Sequence, residues 1–196
     1  MSLDQLEPTE EVPPTSAKHS RRRGAIEWVI VLIVALALSF LVRTFVFQEY
    51  YVPSGSMRPT LYIGDRIMVN KLSVDFGTIN VGDIVVFKAP PAVRKLCGDD
   101  DADLVKRVIG VPGDTLWSEG NTIYLNNKPL HQNWSIYKAM GPKGITRITL
   151  KANQYFMMGD NHADSCDSRT WGTVPRSDII GKVFLKVWPL SHWHWF

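Results

Sequence analysis

Cysteine is scarce in this chain. Its 196 residues hold two, Cys97 and Cys166, so no disulfide framework can carry the fold, and one pairing between them is the most that is open. Net charge is scarce too. Lys and Arg number 22 against 19 Asp and Glu, which leaves +3. The charges are spread evenly, and that sets aside a nucleic-acid binder, which concentrates basic residues on one face. The one basic block is Arg21-Arg22-Arg23. No internal repeat occurs, and no long stretch of 3.6-residue periodicity follows residue 48.

One long apolar run is present, "AIEWVIVLIVALALSFLVRTFVF", Ala25 to Phe47. At helical rise it is long enough to cross a bilayer core of about 30 Å. Its two charges, Glu27 and Arg43, lie near the ends, where side chains can reach the interface. Arg21, Arg22 and Arg23 precede it and predict a cytoplasmic N-terminus, with everything after Phe47 on the other side. A cleaved signal peptide is the rival reading, because Ala35–Ala37 has a small-x-small form. The run continues to Phe47, which favours an anchor. Residues 1–24 are polar and rich in Pro, Glu and Ser. They predict a disordered tail, because they cannot bury enough apolar surface to offset the entropy of ordering.

Beyond the run, short β-type segments alternate with Gly, Pro, Asn and Asp. They are Asp65–Leu72, Asp83–Ala89, Asp103–Val111, "QYFMMGD" and "KVFLKVWPL". "TIYLNNKPL", Thr122–Leu130, predicts a hairpin with Asn126-Asn127 at its turn. The fold class expected is mainly β: an antiparallel β-sheet domain over 48–196, closed or sandwiched, after one N-terminal transmembrane α-helix. Residues 131–153 are less patterned and read as an insertion or an extra hairpin. The tail "VWPLSHWHWF" gathers Trp188, Trp193, Trp195 and Phe196. It reads as an interfacial aromatic cluster or as an ordinary closing strand.

Three stretches carry candidate chemistry. In "PSGSMRPT", Gly55 permits a tight turn and Pro53 and Pro59 stiffen its flanks. Such a turn can present Ser56 outward, with Ser54 as a second hydroxyl. A serine nucleophile needs a base and a hold on the oxyanion. An S-x-x-K pattern is excluded by Pro59, and no G-x-S-x-G elbow occurs. Lys106 lies in "DLVKRVIGVPGD" among Leu104, Val105, Val108 and Ile109. Burial in such a strand disfavours the ammonium form, and the neutral amine can accept a proton. Arg107 points to the opposite face. The third stretch, "GDNHADSCDSRTWG", Gly159–Gly172, packs carboxylates, a His, a Cys and two Ser into one loop.

Four segments, "PSGSMRPTL", "GDRIMVNK", "VKRVIGVPGD" and "GDNHADSCDSR", resemble the type I signal peptidases, the bacterial leader peptidase family. They occur in that family's order after an anchor, and the resemblance covers residues 25 to about 187. It implies a serine endopeptidase with a Ser-Lys dyad, in which Ser56 is nucleophile and Lys106 general base. Ser54 and the Ser56 backbone N–H would form the oxyanion hole. Ser165 would orient the Lys106 amine, Asp167 would pair with Arg169, and Asp160 with Arg107. Tyr50, Val52, Met57, Leu61 and Val105 match positions that line shallow pockets for small side chains, as at Ala-x-Ala sites. The partners implied are preproteins carrying signal peptides and the lipid bilayer, with no nucleic acid, for a single-pass, monomeric protein of a bacterial-type plasma membrane or an equivalent organellar membrane. No metal or cofactor is implied. The family usually has Arg, Asp and Asn where this chain has His162, Ala163 and Asp164. Many members also have two membrane helices, against one here.

Other readings stay open on the residues alone. His162 could complete a triad with Asp160 or Asp164. His162, Cys166 and nearby Asp residues have metal-ligand chemistry. Cys97 and Cys166 could form a disulfide outside the cytoplasm. The domain could bind extended peptides without cutting them, or serve narrow clients such as pilin or conjugation precursors.

Overall fold

The computed structural model describes residues 17–98, 101–137, 139–141 and 143–196, with only the backbone of 17–25 and 41–45. The tail expected over 1–24 lies outside the described residues up to residue 16. The chain divides into two units, Met1–Leu41 and Val42–Phe196.

Helix α1 runs Ala17–Phe45. It starts ahead of the apolar run because Ala, Lys, Ser and Arg cost little in a helix. It stops short of Phe47 because that residue pairs with Asn70 in a sheet. The large apolar side chains described between Ile26 and Phe40 are exposed, from 54% at Val29 to 76% at Trp28. Among the described residues no helix is long and apolar enough to cross a membrane.

The second unit is built of antiparallel strands. In chain order they are β1 (Phe47–Tyr51), β2 (Arg66–Asn70), β3 (Ile84–Lys88), β4 (Asp103–Gly110), β5 (Thr115–Glu119) and β6 (Thr122–Leu125). Then follow β7 (Lys128–Pro129), β8 (Ile148–Thr149), β9 (Gln154–Met158), β10 (Val174–Pro175), β11 (Ile179–Trp188) and β12 (His194–Trp195). Three one-turn helices punctuate them: α2 (Leu72–Asp75), α3 (Ala92–Cys97) and α4 (Ser168–Trp171). The larger sheet runs β1-β2-β11-β3-β4-β9-β10, with β12 added on β11, and the smaller runs β7-β6-β5-β8.

Both faces of the central strands are covered. On β3, Val85 and Phe87 join one core cluster while Ile84 and Val86 join another. A strand buried on both sides needs a continuous β-branched run, and "IVVFK" supplies it. The hairpin at Asn126-Asn127 closes with φ of 51° and 65°. Asn tolerates this left-handed geometry better than most residues, as a two-residue hairpin turn requires.

Residues 131–153 contribute to the core. Met140, Ile145 and Leu150 are buried with Ile109, Leu116 and Phe156 in a third cluster, and β8 pairs with β5. Apolar residues at irregular spacing carry no period, yet each can still fill a core. Cys97 at the end of α3 is bonded to Cys166 across 69 residues of sequence. In the chain-entropy picture such a loop closure contributes about 4 kcal/mol.

Candidate active site

The segment Val52–Leu61 follows β1 and is tied at both ends. Val52 N–H donates to the Asp65 carbonyl at 2.9 Å, and Gly64 N–H to the Val52 carbonyl at 3.0 Å. Inside it, Arg58 N–H donates to Gly55 O, and Thr60 and Leu61 N–H both donate to Met57 O. Met57 and Leu61 are fully buried. Each contributes roughly 1.5–3 kcal/mol of apolar burial, which fastens the turn to the core on both sides of Arg58. Ser56 sits at the start of this turn and is 8% exposed.

Strand β4 brings Lys106 to it. Lys106 pairs in register with Val85 on β3 and is 4% exposed. Its Nζ lies 2.6 Å from Ser56 Oγ. Ser54 Oγ lies 3.2 Å from the same oxygen. Residues fifty apart in sequence thus meet in a site nearly closed to water. Among the described residues, Ser56 Oγ meets the hydroxyl of Ser54 and the amine of Lys106, and not the imidazole of His162.

The chain leaving β9 closes over the turn. Asn161 N–H donates to Ser56 O at 3.0 Å, and Asn161 Nδ2 to Gly55 O at 3.3 Å. The approach is possible because residue 159 is glycine. A Cβ there would stand 2.3 Å from Ser56 O and 2.4 Å from Ser165 Oγ. Ser165 thus sits against the backbone of the turn, its hydroxyl buried and, among the described residues, without a hydrogen-bond partner. Gly159→Ala forces β9 and the turn apart, and misplacing reacting groups by about 1 Å costs about 100-fold. The expected result is a fall of that size in kcat/KM, read beside a melting curve. Wild-type kcat/KM in the variant would contradict the clamp.

Two buried ion pairs frame the site. Arg107 Nε and Nη2 donate to the two oxygens of Asp160, both at 2.7 Å, and its Nη1 donates to Gly82 O. The guanidinium stacks over Trp134 at 4.8 Å. Thr60 Oγ1 donates to Asp160 Oδ2, which links this pair to the turn. The second pair is Asp167 with Arg169 at 2.7 Å, both almost wholly buried. Asp167 caps α4 by accepting Arg169 N–H and also accepts Gly159 N–H. Arg169 reaches the carbonyls of Met140, Lys143, His162 and Ser165. One guanidinium therefore gathers the whole loop, and the Cys97–Cys166 bond pins it from outside.

His162 is buried with Nδ1 unpartnered. Burial first, then the Arg169 charge, holds its imidazole below the ordinary range, against the opposite pull of Asp167 and Asp160. The unfolded chain therefore takes up this proton at a higher pH than the folded one. Stability is complete above about pH 6.5 and declines as pH falls from there through the folded value. The melting temperature is expected to drop as pH falls below about 6.5, and to drop less in His162→Gln. An equal drop in both proteins would contradict this.

A depression opens beside Lys106, lined by Tyr50, Ser54, Val86, Leu104 and Val105 among others. Burial, and then Asp103, push the Tyr50 phenol up to about 12, so it stays a neutral donor. Val52, Met57 and Leu61 are at most 1% exposed, pack with Ile67, Val69 and Val86, and do not line this depression, whereas Tyr50 and Val105 do. Sequence reading did not single out Thr60, Gly159 or Asn161. Only their neighbourhood, "GDN" before the loop and "RPT" after Ser56, could have pointed to them.

Residues 25–188 match the family described as signal peptidase, peptidase S26. A signal peptidase I of Leptolyngbya laminosa is 33% identical and covers 97% of this chain and 95% of its own length. A signal peptidase I of Mycobacterium tuberculosis is 35% identical over 92% of this chain and 77% of its own. A signal peptidase IB of Staphylococcus aureus is 32% identical over 87% and 93%.

Proposed function

The chain belongs to the signal peptidase family, peptidase S26, and on that premise we propose that Ser56 and Lys106 carry out the cleavage. The protein is a serine endopeptidase that removes signal peptides from preproteins. The observation that carries the assignment is the 2.6 Å approach of Lys106 Nζ to Ser56 Oγ, with both side chains buried.

Burial strips water from the amine and so disfavours its charged form. As a neutral base it takes the Ser56 proton while Oγ attacks the scissile carbonyl. The Ser56 N–H and the Ser54 hydroxyl receive the developing oxyanion. Collapse breaks the peptide C–N bond, and the new ammonium of Lys106 gives its proton to the leaving amine. Water then attacks the Ser56 ester, losing its proton to Lys106. The ester C–O bond breaks, and that proton returns to Ser56 Oγ. The ion pairs Asp160–Arg107 and Asp167–Arg169 hold the two loops that carry these groups.

The substrate lies extended beside Tyr50 and Val105, with small side chains at the first and third positions before the cut. The lining of the depression by Tyr50 and Val105 beside Lys106 supports this. Residues 25–47 anchor the chain in a membrane, N-terminus cytoplasmic and catalytic unit outside. Supporting this are Arg21-Arg22-Arg23 ahead of the run and the apolar surface exposed around the helix from Ile26 to Phe40. Tethering enzyme and substrate in one surface raises their effective concentration.

The test is cleavage by the full chain in liposomes of a preprotein with an Ala-x-Ala site, the product N-terminus read by mass. A cut after the second Ala is expected. No cut, with the preprotein still bound, would instead indicate a peptide-binding domain.

A further inference from the structure

Lys106 and Arg107 project to opposite faces of β4. Beside Arg107 lies a cavity of about 670 Å³, walled by Thr60 and Tyr62 after the nucleophile turn, by Trp134, and by the C-terminal segment from Lys186 to Phe196. It is far larger than the depression at Lys106, and the mechanism does not use it.

Its lining is one-sided in chemistry. Arg107, Lys186, His192 and His194 face it, and among the described residues no Asp or Glu does. The balancing carboxylates stand behind the cations: Asp160 and Asp65 are 1% and 2% exposed and do not line it. Both cations keep hydrogen-bonding capacity. Lys186 Nζ donates to Thr60 O at 3.2 Å and stands 3.5 Å from Asp65, which leaves one of its three N–H groups over. Arg107 spends one of its two Nη1 hydrogens on Gly82 O. A nearly buried ammonium and a guanidinium with spare donors, two imidazoles beside them and no competing carboxylate make a receptor for an anion.

We infer that this cavity binds a phosphate group through Lys186, Arg107, His192 and His194. The rim favours a phospholipid head group as its source. Trp193 lines the cavity, and Trp188, Leu190 and Trp195 nearby on the same segment are 51–67% exposed. Such amphipathic and apolar side chains suit the level of lipid head groups. The head-group source rests on the membrane reading above; the phosphate site itself does not. Occupancy would also reach the active site, because Lys186 holds Thr60 O, and Thr60 N–H donates to Met57 O beside Ser56. Phosphate in the cavity therefore braces the nucleophile's turn.

The experiment titrates the full chain in neutral detergent with inorganic phosphate, following tryptophan emission, since Trp134 and Trp193 line the site. Parallel arms use phosphatidylcholine vesicles with and without phosphatidylglycerol, with cleavage of a soluble signal-peptide substrate as a second readout. Wild type is expected to show a saturable emission change. Lys186→Gln, and separately His192→Gln with His194→Gln on the exposed rim, should weaken it about tenfold or more, and the rim variant should leave basal cleavage in detergent unchanged. Stimulation by phosphatidylglycerol vesicles beyond that of phosphate alone would support the head group as the source. Equal effects would support free phosphate at the same site. No saturable response in either arm, or a response untouched in both variants, would overturn the inference. So would an acidic peptide displacing phosphate at far lower concentration. Phosphate binding lost in both variants, in a wild type that cuts nothing, would sink the peptidase assignment and leave the cavity's ligand standing.

Discussion

Lys106→Ala lowers the rate of preprotein cleavage by about 10⁴-fold, and Ser56→Ala lowers it as far. The magnitude follows from how the two side chains act. Oγ attacks only as its proton leaves, and Lys106 Nζ, at 2.6 Å, is the acceptor in place to take it. Neither group has a use without the other. The double variant should therefore be no slower than either single one, where independent contributions would multiply. Single-turnover kinetics in detergent measure this, with melting curves to exclude misfolding. Because the site is buried, alanine at 106 also leaves a cavity, so Lys106→Met serves as the better-filled control. It should be equally inactive. A Lys106→Met protein with near wild-type turnover would place the base elsewhere.

Asp160→Ala is expected to lower stability by about 3–5 kcal/mol and the melting temperature by roughly 10 °C. Arg107 is 5% exposed and makes two bonds of 2.7 Å to that carboxylate. Removing the carboxylate leaves a nearly buried guanidinium without its counter-charge. The loss comes from the stranded charge, more than from the attraction between the partners. Arg107→Met with Asp160→Leu should therefore recover much of the stability that Asp160→Ala loses. Activity should recover less, because Thr60 Oγ1 also bonds Asp160 and sits one turn past Ser56. Calorimetry and cleavage rates on the two variants separate these effects. Equal stability loss in single and double variants would mean that the pair itself was the stabiliser.

The strands were legible where apolar and β-branched residues ran together. β2, β3, β4 and β9 fall within segments that pattern alone marks out, and the segment from Lys182 covers all but the first three residues of β11. β5, β8 and β12 are short or mixed in composition, and pairing decides them more than propensity does. Ser56 and Lys106 were legible as types: a serine in a rigid turn and a lysine among aliphatics. Their meeting came from the resemblance to the type I signal peptidases; the residue types alone could not give it, since it depends on which strand folds beside the turn. Gly159 shows the limit best. Nothing local marks it, because its meaning is a Cβ that would strike Ser56 O, more than a hundred residues away along the chain. Cys97 and Cys166 could be counted in the sequence, but only the placing of α3 beside the loop makes them partners.

The most direct test of the Ser56–Lys106 account is to trap the covalent intermediate. The full chain is mixed with a signal-peptide substrate, quenched in acid within the first turnover, digested and mapped by mass. The account predicts the acyl portion of the substrate attached to the peptide that contains Ser56, in wild type alone, with no adduct in Ser56→Ala or Lys106→Ala. An adduct on any other residue, or continued cutting by Ser56→Ala, would contradict it.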